Sequence, residues 1–507
     1  MVALGSDARG VAIVSAWGSR AMEQSSSVTI TLRVATTIDE VQGEAPRAVD
    51  FTVLQINDVY EVTLGEGPGG LDRVATLREA VARENSNCLV VLAGDFLSPS
   101  VISTTIGDGG RHMIETLNAM GLTHATVGNH EFDLAHEDFL VRIEESQFKW
   151  VLTNVSDAAG AAFPGTTRHE IVEFSNAAGE TARVALIGLC LDLKKQPWVR
   201  YDDPIASARA KVAELEGAAD VVIALTHLQI TQDEALGVAV PRLDVLMGGH
   251  EHEAARAIVG DDATPIFKAD SNARSALVHR FRFDTRSRVA TVHTQLVPVD
   301  DAVAREPATR AVIERWQERA FNTLRAQGFE PTEVVGRTRE ALIGYESDVR
   351  NRPTNLTRLV AGAFLDEVPG ADAVMVVAGT IRIDGEIAPG DVRYFDIVRM
   401  FPSGGALSVL SIPGVVLEMF LNMGLKAKNT GSFQIHANIE RDGDAWMIGG
   451  EALAGARAYT IVFNWIPAAA LAHPPFKGSG IEKLHDTREM RAIVADRFRR
   501  DAASGGG

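Results

Sequence analysis

Along its first half the chain alternates short unbroken apolar runs with longer stretches in which apolar positions recur every three or four residues. FTVLQIND, CLVVLAGD, RVALIGLC, VVIALTH and LDVLMGGHEH have the length and continuous hydrophobicity of strands buried on both faces. WVLTNVSD reads as one further strand, and LVHRFRFD and ATVHTQLVPV read as edge or closing antiparallel strands. LDRVATLREAVAREN and ASARAKVAELEGA carry the helical period between them, which makes the layout α/β. Val312, Ile313, Trp316, Ala320, Phe321 and Leu324 repeat at helical spacing, predicting an amphipathic linker helix within 304–329. A second domain is expected over 330–500, with helix NLTRLVAGAFLDEV and strand AVMVVAG, after a first domain over 49–303. Residues 1–48 read as a loose leader with one added strand around TITLRV, and 501–507 as a fraying tail.

Five of the apolar runs stop on side chains that bind metals. Asp58, Asp95, Asn129 with His130, His227, and His250 with His252 close successive runs. In open α/β sheets the carboxyl ends of the strands face the crevice where ligands bind. One such ending means little, because a polar residue closing a strand ordinarily meets water; five together point to a metal site. Oxygen and imidazole donors without thiolate suit Mn, Fe, Zn or Mg. The donors are too many for one catalytic ion and suit a pair about 3.5–4 Å apart. Asp95 follows Gly94, and a glycine lets backbone approach the ions closely, so Asp95 is the natural bridge.

These segments resemble the calcineurin-type metallophosphoesterases. Asp58 in IND, Gly94-Asp95, the GNHEFD run from Gly128 to Asp133, His227, and Gly249-His250-Glu251-His252 carry the likeness. The GNHEFD spelling is similar to that of the 5′-nucleotidase and UDP-sugar hydrolase branch. AVMVVAGTIR, IAPGDVRYFDIVRMFPSGGALSVLSIPG and TGSFQI resemble that branch's second domain. The resemblance implies a two-sheet αββα sandwich followed by an α/β substrate-binding domain. It implies that Asp95 bridges two divalent ions, with Asn129, His227 and His250 completing one site and Asp58 and His252 the other. His130 would face the phosphoryl group, oriented by Asp133. Arg350 and Arg382 would grip phosphate, and Phe433 would stack on a base. The expected activity is hydrolysis of nucleotides, or of a related small phosphate ester, by a metal-bridged hydroxide.

The chain departs from the pattern twice. The family's Asp-x-His is here Asp58-Val59-Tyr60. A phenol, with an unperturbed pKa of about 10, is a poor ligand for Mn or Zn, so Tyr60 either binds Fe(III), yields its place to water, or leaves that site weak. In the substrate pocket, Val377 stands where the family has Asn, and Lys477-Gly478-Ser479-Gly480-Ile481 stands nearest its Gly-Gly-Asp-Gly-Phe. Ser479 and Ile481 therefore replace a sugar-binding carboxylate and a stacking ring. Sugar phosphates, cyclic phosphodiesters and nucleotide-sugar pyrophosphates are alternative substrates on this reading. A binding protein on a degenerate phosphoesterase scaffold is the alternative from another class.

Composition adds bounds. The 507 residues exceed one core and carry a formal charge of −18, which opposes nonspecific binding to nucleic acid or anionic membranes. Two cysteines, Cys88 and Cys190, build no disulfide framework, and both read as buried thiols. No run reaches membrane-spanning length. GVAIVSAW lacks the charged start and longer core of a secretory signal, so a cytoplasmic location is expected, with periplasmic export the alternative if the true start differs. The oligomeric state is not legible.

Overall fold

The computed structural model describes residues 47–63, 67–193, 196–464 and 477–503, and the backbone of 27–32. The chain divides into two compact units, Met1–Arg319 and Ala320–Gly507. The division falls inside the helix Pro307–Ala326.

The first unit is built on two sheets. One has eight strands in the order Ser27–Leu32, Val289–Pro298, Ser275–Asp284, Ala48–Ile56, Cys88–Ala93, His124–Thr126, Lys149–Val151 and Thr166–Thr167. The other has six, in the order Ala255–Val259, Thr264–Lys268, Val245–Gly248, Val221–His227, Thr181–Cys190 and Glu170–Ser175. Alternate residues of both sheets fill one apolar layer: Phe51, Val53, Leu89 and Val91 meet Val184, Leu186, Ile223 and Met247. Phe51 stacks on Phe281 of its own sheet at 4.6 Å and on Phe174 of the other at 5.0 Å. Burying each such ring contributes about 1.5–3 kcal/mol. The opposite faces carry helices such as Leu71–Glu84 on the first sheet and Pro204–Glu214 on the second, which gives the αββα sandwich.

Several boundaries differ from the sequence expectation. Ser275–Asp284 is an interior strand, because Val289–Pro298 pairs on its far side and Ser27–Leu32 pairs beyond that. The added strand is therefore present, whereas 1–26 and 33–46 lie outside the described residues. WVLTNVSD breaks into Lys149–Val151 and Val155–Asp157. Between them Asn154 turns its amide onto the Cys190 backbone, donating at 2.8 Å and accepting at 2.9 Å, so it bonds across to the second sheet. The last helix, Met490–Ala503, continues past Arg500. Arg497 Nε donates to the Asp501 carboxylate at 2.8 Å one turn on, which holds the final turn; 504–507 lie outside the described residues. Cys190 is buried, but Cys88 is partly exposed, since it opens its strand at the edge of the core.

The second unit centres on a five-stranded sheet in the order Gln434–Ala437, Ala373–Val377, Ala458–Phe463, Ala406–Pro413 and Glu482–Glu489. The helix Asn355–Glu367 begins at a reciprocal cap: Thr354 Oγ1 accepts from Thr357 N at 3.2 Å and Thr357 Oγ1 accepts from Thr354 N at 2.8 Å. Among the described residues, no helix is long and apolar enough to cross a membrane.

Candidate metal centre

Parallel pairing brings the strand ends carrying the candidate ligands to the same side. Asp58 lies two residues beyond Ala48–Ile56, Asp95 two beyond Cys88–Ala93, His227 ends its strand, and His250 lies two beyond Val245–Gly248. The loops turn sharply. Asp58, Asp95, His250 and His252 hold positive φ of 53°, 56°, 90° and 62°, a region that costs a non-glycine residue about 1–3 kcal/mol. Backbone bonds fix the bend at Asp58, whose N–H donates to Gly94 O at 3.0 Å and whose carbonyl accepts from Asn272 N at 2.8 Å. Gly94 and Gly128 are obligatory. A Cβ on Gly94 would stand 2.6 Å from His227 Nδ1, and one on Gly128 would stand 2.1 Å from Asp95 Oδ1.

Donor atoms of Asp95, His227 and His250 lie within 4.8 Å of one another. His227 Nδ1 donates to Ala93 O at 2.8 Å, which leaves the Nε2 lone pair facing the cluster. That atom is 3.1 Å from Asp95 Oδ2 and 3.9 Å from Asp58 Oδ1, yet the angles give it no hydrogen bond. Asp58 Oδ1 and Asn129 Oδ1 are likewise buried with no hydrogen-bond partner. Three buried ligand atoms without hydrogen bonds, one of them on the Asp58 carboxylate itself, are costly unless a cation binds them.

The electrostatics agree. Burial raises the Asp58 carboxyl even against His227 and His252. Asp95 is pushed up by burial too, but His227 and His130 outweigh it and hold it well below the usual carboxylate range. Burial disfavours the charged form of His227, yet the Asp95 and Asp58 carboxylates push it up to about 10. Burial, then the charge of His227, brings His250 down to about 3. His250 is thus a neutral imidazole beside carboxylates that already draw positive charge onto His227, and such a cluster suits divalent ions.

Tyr60 belongs to the same cluster. Its hydroxyl is 2.8 Å from Asp95 Oδ2 and 3.0 Å from His252 Nε2. His130 gives its backbone N–H to Asp95 Oδ1 at 2.7 Å, while its Nδ1 lies 2.5 Å from Asp133 Oδ2. The structure therefore gathers Asp58, Tyr60, Asp95, Asn129, His130, Asp133, His227, His250 and His252 around the two carboxylates.

Two supporting residues escaped the sequence reading. Glu131, fully buried, accepts four backbone N–H groups: Asp95 at 2.9 Å, Phe96 at 2.7 Å, Leu97 at 3.0 Å and Gly128 at 2.6 Å. One carboxylate thus ties the Asp95 loop to the Asn129 loop. Lys268, also buried, donates to Leu228 O at 2.7 Å and Gly249 O at 2.8 Å, and pairs with Asp233 and Glu251. It anchors the loop that carries His250 and His252. A charged residue inside GNHEFD and a lysine closing TPIFK were the available signals.

In the second unit, Glu346 Oε1 lies 2.5 Å from Arg350 Nη2 and 3.2 Å from Arg382 Nη1. Phe433 is half-buried, and its carbonyl accepts from Ala378 N at 2.7 Å in the segment leading to Arg382. Ile481 packs against the unit's apolar core.

Comparison with known proteins agrees with this picture. Residues 51–254 match the calcineurin-like phosphoesterase family and residues 334–469 the 5'-nucleotidase C-terminal domain. The trifunctional nucleotide phosphoesterase protein YfkN of Bacillus subtilis is 25% identical over 435 residues, 77% of this chain but 29% of YfkN. The chain thus spans less than a third of that relative. The 5'-nucleotidase of Bos taurus is 22% identical over 424 residues, 74% of this chain and 71% of the relative. The 5'-nucleotidase precursor from Thermus thermophilus superposes with a TM-score of 0.70 at 18% identity, over 89% of this chain and 97% of that one. The chain belongs to the calcineurin-like metallophosphoesterases of the 5'-nucleotidase type, hydrolases that act on phosphoric esters with divalent metals.

Proposed function

We propose that the protein is a phosphomonoesterase that takes nucleotides or a related small phosphate ester. The observation that carries this reading is the set of orphaned buried donors, Asp58 Oδ1, Asn129 Oδ1 and His227 Nε2, around Asp95. Asp95 with Asn129, His227 and His250 would hold one divalent ion, and Asp95 with Asp58 and His252 would hold a second. Ions held there supply Lewis-acid polarisation of the phosphoryl group and a nucleophile at neutral pH. The remaining steps fall to side chains. Asp133, at 2.5 Å from His130 Nδ1, fixes the tautomer, so that His130 Nε2 holds or delivers a proton at the leaving oxygen. Arg350 and Arg382 present guanidinium forks to phosphate oxygens.

The two departures from the family pattern bear on metal and substrate. The Tyr60 hydroxyl donates to Asp95 Oδ2 at 2.8 Å and lies 3.0 Å from His252 Nε2, so an ion held by those two residues would be within its reach. This supports Tyr60 as a ligand, and a phenolate oxygen favours Fe(III); Mn, Zn, Fe(II) or Mg suit the other position. Ile481 packs on core residues, which supports a second reading in which no ring from that segment stacks on a base and a sugar phosphate is taken instead.

Phosphate release by the Mn-supplemented protein tests both. The panel is nucleoside monophosphates, UDP-glucose, cyclic nucleotides, sugar phosphates and p-nitrophenyl phosphate. Chelator-sensitive turnover strongest on nucleotides supports the first reading, and strongest on sugar phosphates the second. Absence of turnover on all of them, with iron also supplied, sinks the enzyme assignment in favour of a binding role.

A further inference from the structure

Arg350 and Arg382 come from separate stretches of the second unit, one from the end of the short helix Glu346–Val349 and one from the segment after Ala373–Val377. Both side chains are largely shielded, with 23% and 19% of their surface exposed. Two guanidinium ions brought together in such a place repel each other and lose hydration. What brings them together is one carboxylate, Glu346, whose side chain is 7% exposed and whose Oε1 serves both. Glu346 is itself fixed at its backbone: its N–H donates at 3.0 Å to Asp384 Oδ1, and Asp384 lies two residues beyond Arg382. The carbonyl of Arg350 accepts from Asn429 N at 3.2 Å, in the stretch leading to Phe433. Glu346 thus stands where the Arg350 stretch and the Arg382 stretch meet.

We infer that Glu346 is the positioning residue of the phosphate-binding arginines: it holds the two guanidiniums in register for the incoming phosphate. The inference rests on the proposed role of Arg350 and Arg382 and adds the group that preorganises them.

The test uses the Mn-loaded full chain, with inorganic phosphate as the competing ligand and p-nitrophenyl phosphate as substrate. Glu346→Ala is expected to raise KM and the phosphate inhibition constant by roughly tenfold, with kcat changed by less than about threefold. Glu346→Gln keeps an acceptor at the same place. It is expected to hold both constants within about threefold of wild type and to steepen their dependence on salt, because one buried negative charge is gone. Constants unchanged in Glu346→Ala would overturn the inference. So would Glu346→Gln as weak as Glu346→Ala with the same urea midpoint. If Arg350→Ala and Arg382→Ala leave KM and the inhibition constant unchanged, the arginine site itself fails and Glu346 falls with it. Loss in those two variants but not in Glu346→Ala rejects the positioning role alone.

Discussion

Asp95 carries two jobs in one carboxylate, since Oδ1 holds the His130 backbone N–H and Oδ2 faces Tyr60 and His227. Asp95→Asn is expected to lose both ions by elemental analysis and more than about a hundredfold in turnover; full activity would remove the bridging assignment. His130 differs from the candidate ligands, because its Nδ1 is engaged by Asp133 while its ring lies edge-on to Tyr60 at 5.8 Å. His130→Ala should keep its metal content while kcat falls about 10²- to 10⁴-fold, and an unchanged kcat would take it out of the chemistry. Tyr60 gives an optical test. Iron-loaded wild type is expected to show phenolate charge-transfer absorption in the visible range, and Tyr60→His to lack it at equal iron content. A colourless wild type with iron bound rejects ligation.

At the scale of elements the two sheets are locked by rings that cross between them. Phe51→Ala leaves Phe174 and Phe281 facing a void and should cost about 3–5 kcal/mol in urea unfolding. Metal content at low denaturant should be unchanged, because Phe51 lies at the far end of its strand from Asp58. Strands such as Cys88–Ala93 and Val221–His227 were legible because continuous hydrophobicity is a local property. The ligands at their ends were legible because each is a change of type at a fixed place in the pattern. What the pattern could not carry is pairing at a distance. Nothing near LVHRFRFD says that a leader strand lies two places away in the sheet, and nothing in WVLTNVSD says that Asn154 will bond to Cys190. Glu131 and Lys268 were opaque for the same reason, since their partners, loop backbone groups and for Lys268 also the Asp233 and Glu251 carboxylates, are brought together only by the fold.

Across the whole molecule, burial has left histidines in both units uncharged. Burial lowers His124 to about 4, His279 to about 3 and His436 to about 4, and all three lie outside the candidate ligand set. The unfolded chain protonates each near 6.5, before the folded one does, so the folded state is favoured fully above that pH and loses ground as pH falls toward 4. Each histidine contributes a slope of about 1.4 kcal/mol per pH unit in that window. Urea midpoints of the chelated protein should therefore drop between pH 6.5 and 4.5. His279→Gln, which keeps a polar side chain beside Gln55 and Thr294 but cannot titrate, should remove part of the first unit's share and leave that of His124. A flat wild-type profile over this range would reject the assignment.

The left-handed backbone at Asp58, Asp95, His250 and His252 also steers how this protein can diverge. Asp, Asn and His tolerate that conformation better than other side chains with a Cβ. A new donor type at any of the four positions is thus a backbone change as well as a chemical one. Tyr60, Asn129 and His227 are not among the positive-φ residues. A change of donor at those three sites asks nothing of a left-handed backbone, and Tyr60, the departure from the family's Asp-x-His, stands at one of them.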